Sequence, residues 1–320
     1  MLEEGPNPSK ILTGPRTVNP RRPLVLIHDG GGTTFAYFLF GNLNRDVWAL
    51  HSPKYFSGEG WEGGMKEVAK TYIGLMKDAG IKGNILLGGS CHFSRRDRNR
   101  IDMVIGWSFG GLAAVEIARA VADDPDSPFK VDGMVIIDSP FQLPPDQRPA
   151  NVDPDLSDLP ELVRKAFDNA DSAVTGWQAP AWDGPTLGGK DVKVRVGATI
   201  LDVGLGQVAH KPVKGQWTVV DSPKHEQEAA ADGKTPPPAV FIKATKNVAP
   251  AKGSDQVCDI DYLREEKLLG WGGRYPDFIK AVIDFDNNHF DMFDKMNFEQ
   301  VRCFGATGTR LLTWNNSRRS

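Results

Sequence analysis

The chain has 320 residues, 40% apolar and 25% charged, with a net charge of -3. That length holds one large α/β domain with an insertion, or two domains, and so mild a charge excludes a global pull toward nucleic acid or an anionic membrane. Three widely spaced cysteines, Cys91, Cys258 and Cys303, with no C-x-x-C pair argue against a disulfide framework or a zinc site and fit a reducing, cytoplasmic compartment.

Residues 1–22 are polar and rich in proline and glycine, without the apolar core of a signal peptide, and read as a flexible N-terminal segment. No apolar run approaches the roughly 20 residues needed to span a bilayer. The first strand signal is 23–27 (PLVLI), ended by His28-Asp29-Gly30-Gly31-Gly32, a loop that needs permissive backbone. It lacks the Gly-Lys-Ser/Thr ending of a phosphate-binding loop and the G-x-G-x-x-G pattern, so no nucleotide cofactor is expected. A glycine-rich loop after an early strand is where serine hydrolases of one class keep an oxyanion donor.

A second strand is predicted at 46–50 (DVWAL). An amphipathic helix follows over 61–77, with Met65, Val68, Ala69, Tyr72, Ile73 and Met76 at helical spacing. A third strand starts at 84–87 and runs into Gly88-Gly89. Then the polar, basic stretch 90–100 (SCHFSRRDRNR) intervenes, and a second strand-like run, 101–105, precedes Gly106-Trp107-Ser108-Phe109-Gly110-Gly111. Two readings stay open for 90–106: a basic surface loop, or an intron translated in frame, because its removal joins Gly89 directly to Trp107.

The hexapeptide is G-x-S-x-G with an extra glycine. A serine on a sharp strand-to-helix turn has crowded neighbours two positions away, which glycine relieves. The helix it opens, 112–122, directs unpaired N–H groups at developing negative charge. A strand at 131–137 ends in Asp138. From 141 to 238 prolines, aspartates and glycines dominate, with a helix at 159–169 and Trp177, Trp182 and Trp217; this reads as an inserted lid. Strand pattern returns at 239–245. A turn at 268–271 and a short helix at 276–279 come next, then the last strand at 281–285, a polar turn carrying His289, and a C-terminal helix from about Asn297. Residues 313–320 form a tail.

Strands alternating with helices imply a parallel sheet with crossovers. A serine at an elbow, an acid after a later strand and a histidine after the last strand follow the chain order of the α/β-hydrolase fold. On this reading the core is 23–140 and 239–312, and the lid is 141–238. Ser108 is the nucleophile, and His289 is the base; His28, which precedes the serine, shapes the glycine loop. Spacing leaves the acid divided between Asp138 and the later Asp255, Asp259 and Asp261.

The runs LIHDGGG (26–32), GWSFGG (106–111), MVIIDSP (134–140), KLLGW (267–271) and NNHFDMFD (287–294) resemble thioesterase domains that end fungal polyketide synthases and nonribosomal peptide synthetases, here as a free-standing relative. The resemblance spans about residues 20–305. It implies Asp138 as the triad acid, and Gly30 as an oxyanion donor beside the Phe109 N–H. It also implies release of a polyketide or peptide acyl chain from a thioester, by hydrolysis or by lactone or lactam formation. The substrate is expected on a carrier protein or coenzyme A, with no cofactor and no metal. A carboxylesterase or lipase, and a non-catalytic binding protein, are the alternative readings.

Overall fold

In the computed structural model the described residues are 5–18, 20–90, 109–141, 160–196, 199–222, 233–249, 257–275, 277–290 and 292. In chain order the elements are β1 (Ser9–Leu12), β2 (Leu24–Ile27), β3 (Val47–Leu50), α1 (Gly64–Asp78), β4 (Gly83–Ser90), α2 (Phe109–Asp123), β5 (Phe129–Ile137) and α3 (Glu161–Val174), followed by β6 (Val192–Val196), β7 (Thr199–Val203), β8 (Gln207–Lys211), β9 (Thr218–Asp221), β10 (Ala239–Ala244), α4 (Trp271–Arg274) and β11 (Ile279–Phe285).

Nine strands form one sheet in the order β1-β3-β2-β4-β5-β10-β11-β8-β9. From β3 to β8 all neighbours are parallel, and the antiparallel β1 and β9 close the two edges. The order of β2 and β3 is reversed relative to the chain, and β4 lies between β2 and β5. This is the α/β-hydrolase arrangement.

Strand β2 is buried along its whole length, as a strand covered on both faces must be. Its side chains divide by parity. Val25 and Ile27 join Ile85 and Leu87 of β4 in a core with α1 and α2. Leu24 and Leu26 face a second core with Tyr37, Val135 and the β6–β7 hairpin residues Val192, Val194 and Val203. Helix α1 buries Met65, Val68, Ala69, Tyr72 and Met76, the face its spacing predicted. In α2 nearly every residue from Phe109 to Ala118 is buried, and its small residues let it lie against the sheet: a Cβ on Gly111 would stand 2.3 Å from the Ser139 hydroxyl oxygen.

Three expectations differ from the structure. Residues 9–12, read as part of a flexible segment, pair with β3 because Ser9, Lys10 and Leu12 meet its open edge. Residues 207–221, read as part of the lid, extend the main sheet beyond β11 as β8 and β9. The short helix expected at 276–279 is instead α4 at Trp271–Arg274, while Ile279 already pairs in the sheet with Ala239. The C-terminal helix and tail, the second strand-like run 101–105 and much of the early lid lie outside the described residues. Among the described residues no helix is long and apolar enough to cross a membrane.

The close β4–β5 contact is sensitive to any added atom, since a Cβ on Gly88 would lie 2.4 Å from the Val135 carbonyl oxygen. Gly88→Ala should therefore destabilise the fold by about 1–3 kcal/mol, read as a lower denaturant midpoint; an unchanged midpoint contradicts this packing.

Candidate active site

The glycine loop, Asp138 and His289 all follow the C-terminal ends of parallel strands, the edge where open α/β sheets bind ligands. Asp138 leaves β5 in a left-handed conformation, φ 41, uncommon for a residue with a side chain and a sign of local strain. Its own N–H donates to the Ile242 carbonyl at 2.7 Å. The carboxylate is fully buried and held from several sides. Oδ1 accepts the Ala244 N–H at 2.8 Å and Arg264 Nη1 at 2.6 Å. Oδ2 meets His289 Nδ1 at 2.6 Å.

Burial raises the Asp138 carboxyl, yet the Arg264 guanidinium and the His289 ring outweigh it and hold it down at about 2. The carboxylate thus stays ionised at any neutral pH and accepts the proton on His289 Nδ1. That leaves His289 Nε2 as the acceptor nitrogen. The ring is fully buried, and Nε2 has no hydrogen-bond partner among the described residues.

Arg264 and Asp261 were not picked out together by the sequence as parts of one cluster. The guanidinium donates from Nε to Asp261 Oδ1 at 2.8 Å and from Nη1 to the Ala244 carbonyl at 3.0 Å. Asp261 Oδ2 accepts the Val248 N–H at 2.6 Å. Both side chains are almost fully buried. The spacing of three between Asp261 and Arg264 was the available signal, but nothing in it marks burial. Asp261, one of the rival acids, is therefore committed to Arg264. Asp259 begins the same short helical turn, and Asp255 lies outside the described residues.

At the other side of β4, His28 follows β2 and is buried with both ring nitrogens engaged. Nδ1 stands 2.5 Å from the Asp29 carbonyl, to which it donates, so Nε2 accepts from the Tyr72 hydroxyl. Burial pushes this histidine down to about 4, keeping it neutral. Its ring stacks on Phe109 at 5.0 Å between centroids. His28 therefore braces the start of α2 and has no nitrogen free for proton transfer. Beside it, burial pushes the Asp29 carboxyl up to about 7 against hydrogen bonds from Thr33 and Gly31.

Gly30 is buried in the turn that these contacts shape. Helix α3 covers the same loop: a Cβ on Gly31 would sit 3.6 Å from the Phe167 ring, and one on Gly32 3.2 Å from Ala166. Phe109 is the first residue of α2 and fully buried. Ser108 lies outside the described residues. Among the described residues no cluster of His, Cys, Asp or Glu is arranged to hold a metal ion.

Removing Arg264 leaves two buried carboxylates, Asp138 and Asp261, without the guanidinium they share. Arg264→Met should destabilise the protein by about 3–5 kcal/mol. The sign of the pH effect follows from the depressed Asp138 pKa. The stability from its ionisation is present above the ordinary carboxylate range and lost as pH falls through about 2. In the variant that acid loss should begin at higher pH. An acid-unfolding curve that does not move contradicts this role.

No protein-family profile matches the chain. Among curated proteins, a probable thioesterase of Curvularia clavata, KK1J, is 37% identical over 304 residues, covering 94% of each chain. A probable thioesterase of Purpureocillium lilacinum, lcsE, is 40% identical over 289 residues, covering 87% of this chain and 85% of that one. Among solved structures, the NocB thioesterase domain from the nocardicin cluster aligns with 91% of this chain and 93% of its own at 16% identity and a TM-score of 0.47. On the identity and coverage of the two curated relatives, the chain belongs to the family of these fungal thioesterases.

Proposed function

We propose that the protein releases an acyl chain from a thioester through an acyl-enzyme on Ser108, with His289 as base and Asp138 as the residue that orients it. The observation that carries this reading is the buried His289 ring, tied at Nδ1 to an ionised carboxylate, with Nε2 without a partner among the described residues. A base oriented from one nitrogen and open at the other is what a serine nucleophile requires.

In the proposed reaction Nε2 takes the Ser108 hydroxyl proton as the oxygen attacks the thioester carbonyl carbon. The oxyanion is met by the Phe109 and Gly30 N–H groups, each such donor supplying about 3 kcal/mol of transition-state stabilisation. Collapse breaks the C–S bond, and the leaving thiolate takes the proton from Nε2 to depart as a thiol. The acyl-serine ester then reacts with water to give an acid, or with a hydroxyl or amine of the chain itself to give a lactone or lactam. The thioester is proposed to arrive on an acyl or peptidyl carrier protein or on coenzyme A. Helix α3, lying over the glycine loop, belongs to the proposed lid that decides whether water or an internal nucleophile reaches the ester.

Ser108→Ala should lower turnover of an acyl thioester at least about a thousandfold while leaving the unfolding midpoint unchanged; full activity in that variant refutes the assignment. Asp138→Asn should lower the rate far more than Asp255→Asn, and the opposite ranking moves the acid to the later position. The carboxylesterase reading is tested by comparing the acyl thioester with its oxygen-ester analogue, for which the thioester should give the higher kcat/KM.

A further inference from the structure

We propose that Gly89, and not Gly106, is the glycine that precedes the nucleophile at the elbow, and that residues 90–106 are an in-frame insertion the catalytic junction does not use. This rests on the reading of Ser108 as nucleophile. The strand that must deliver the serine lies between those carrying the glycine loop and Asp138, and that place belongs to β4. Its Gly89 pairs with Ile27 at the end of β2, and its Ser90 pairs with Ile137 at the end of β5. Strand β4 therefore ends level with the two strands that release His28 and Asp138.

The next described residues begin α2, and the two backbones touch. A Cβ on Gly89 would lie 2.5 Å from the Gly110 carbonyl carbon and 2.6 Å from its Cα, closer than any side chain allows. An elbow needs this closeness, because the residues two before and two after the serine crowd each other and both must lack a side chain. In a G-x-S-x-G elbow three residues lie between that pair. The sequence instead has residues 90–109 between them. Joining Gly89 to Trp107 leaves Gly89-Trp107-Ser108-Phe109-Gly110, which is G-x-S-x-G with glycines at the two positions that the structure brings together. The position against Gly110 that Gly106 would need is already filled by Gly89.

The genetic code permits the excision. A glycine codon at 89 can supply the GT that opens an intron in its last two bases. An isoleucine codon at 105 followed by the first base of a glycine codon can supply the closing AG. The flanking bases then rejoin as a glycine codon and the frame is kept.

The test compares the full chain with a form lacking residues 90–106 and with that shortened form carrying Ser108→Ala. The shortened protein should unfold cooperatively at a midpoint no lower than that of the full chain. It should turn over an acyl thioester with kcat at least about tenfold higher at similar KM, since misplacing a nucleophile by an ångström costs about a hundredfold. The Ser108→Ala form should lose this activity. A shortened protein that fails to fold, or that folds with a kcat below that of the full chain, overturns the proposal. If the shortened protein keeps its midpoint but neither form turns over a thioester, the serine-hydrolase reading fails while the junction stands on its stability.

Discussion

The structure depends on one buried carboxylate. Asp138 sits at the end of β5 in strained backbone, fully removed from water, and remains ionised only because Arg264 and His289 face it. An unpaired charge in such a place costs several kcal/mol. The surrounding fold therefore has to bring a guanidinium from a turn after β10 and an imidazole from a turn after β11 to the same point.

The sheet supplies the geometry that permits this meeting. Strands β5, β10 and β11 are adjacent and parallel in close register, so the chain leaves all three at the same edge. Close approach on the other side is achieved by residues without bulk. Gly88 brings β4 against Val135 of β5, Gly89 meets Gly110 of α2, and Gly111 lets α2 lie against Ser139, while His28 stacks on Phe109. Packing on this side and ion pairing on the other are different solutions to one requirement, the placement of atoms from distant parts of the chain within hydrogen-bond reach.

Much of this was legible in the sequence. The buried strands announced themselves as short apolar runs, and α1 by its helical spacing, because burial of one or both faces writes a period into the residues. The placement of the glycine loop, Asp138 and His289 after successive strands was legible from the same apolar runs that precede them. Resemblance was needed to prefer Asp138, and the structure now ties Asp138 to His289 and Asp261 to Arg264. Arg264 went unread because an arginine in a polar turn carries no mark of burial. The strands β8 and β9 were hidden inside a segment rich in proline and glycine, and β1 inside a terminus of similar composition. β1 and β9 are the edge strands, where backbone pairing matters more than a hydrophobic pattern, and β8 lies next to β9.

The central claim is that Ser108 is the nucleophile served by His289. It is tested most directly by treating the protein with a serine-directed fluorophosphonate and locating the adduct by peptide mass spectrometry. The account predicts a single phosphonyl adduct on Ser108, formed far more slowly when His289 is replaced by alanine. An adduct on another serine, or labelling of Ser108 at an unchanged rate without His289, contradicts it.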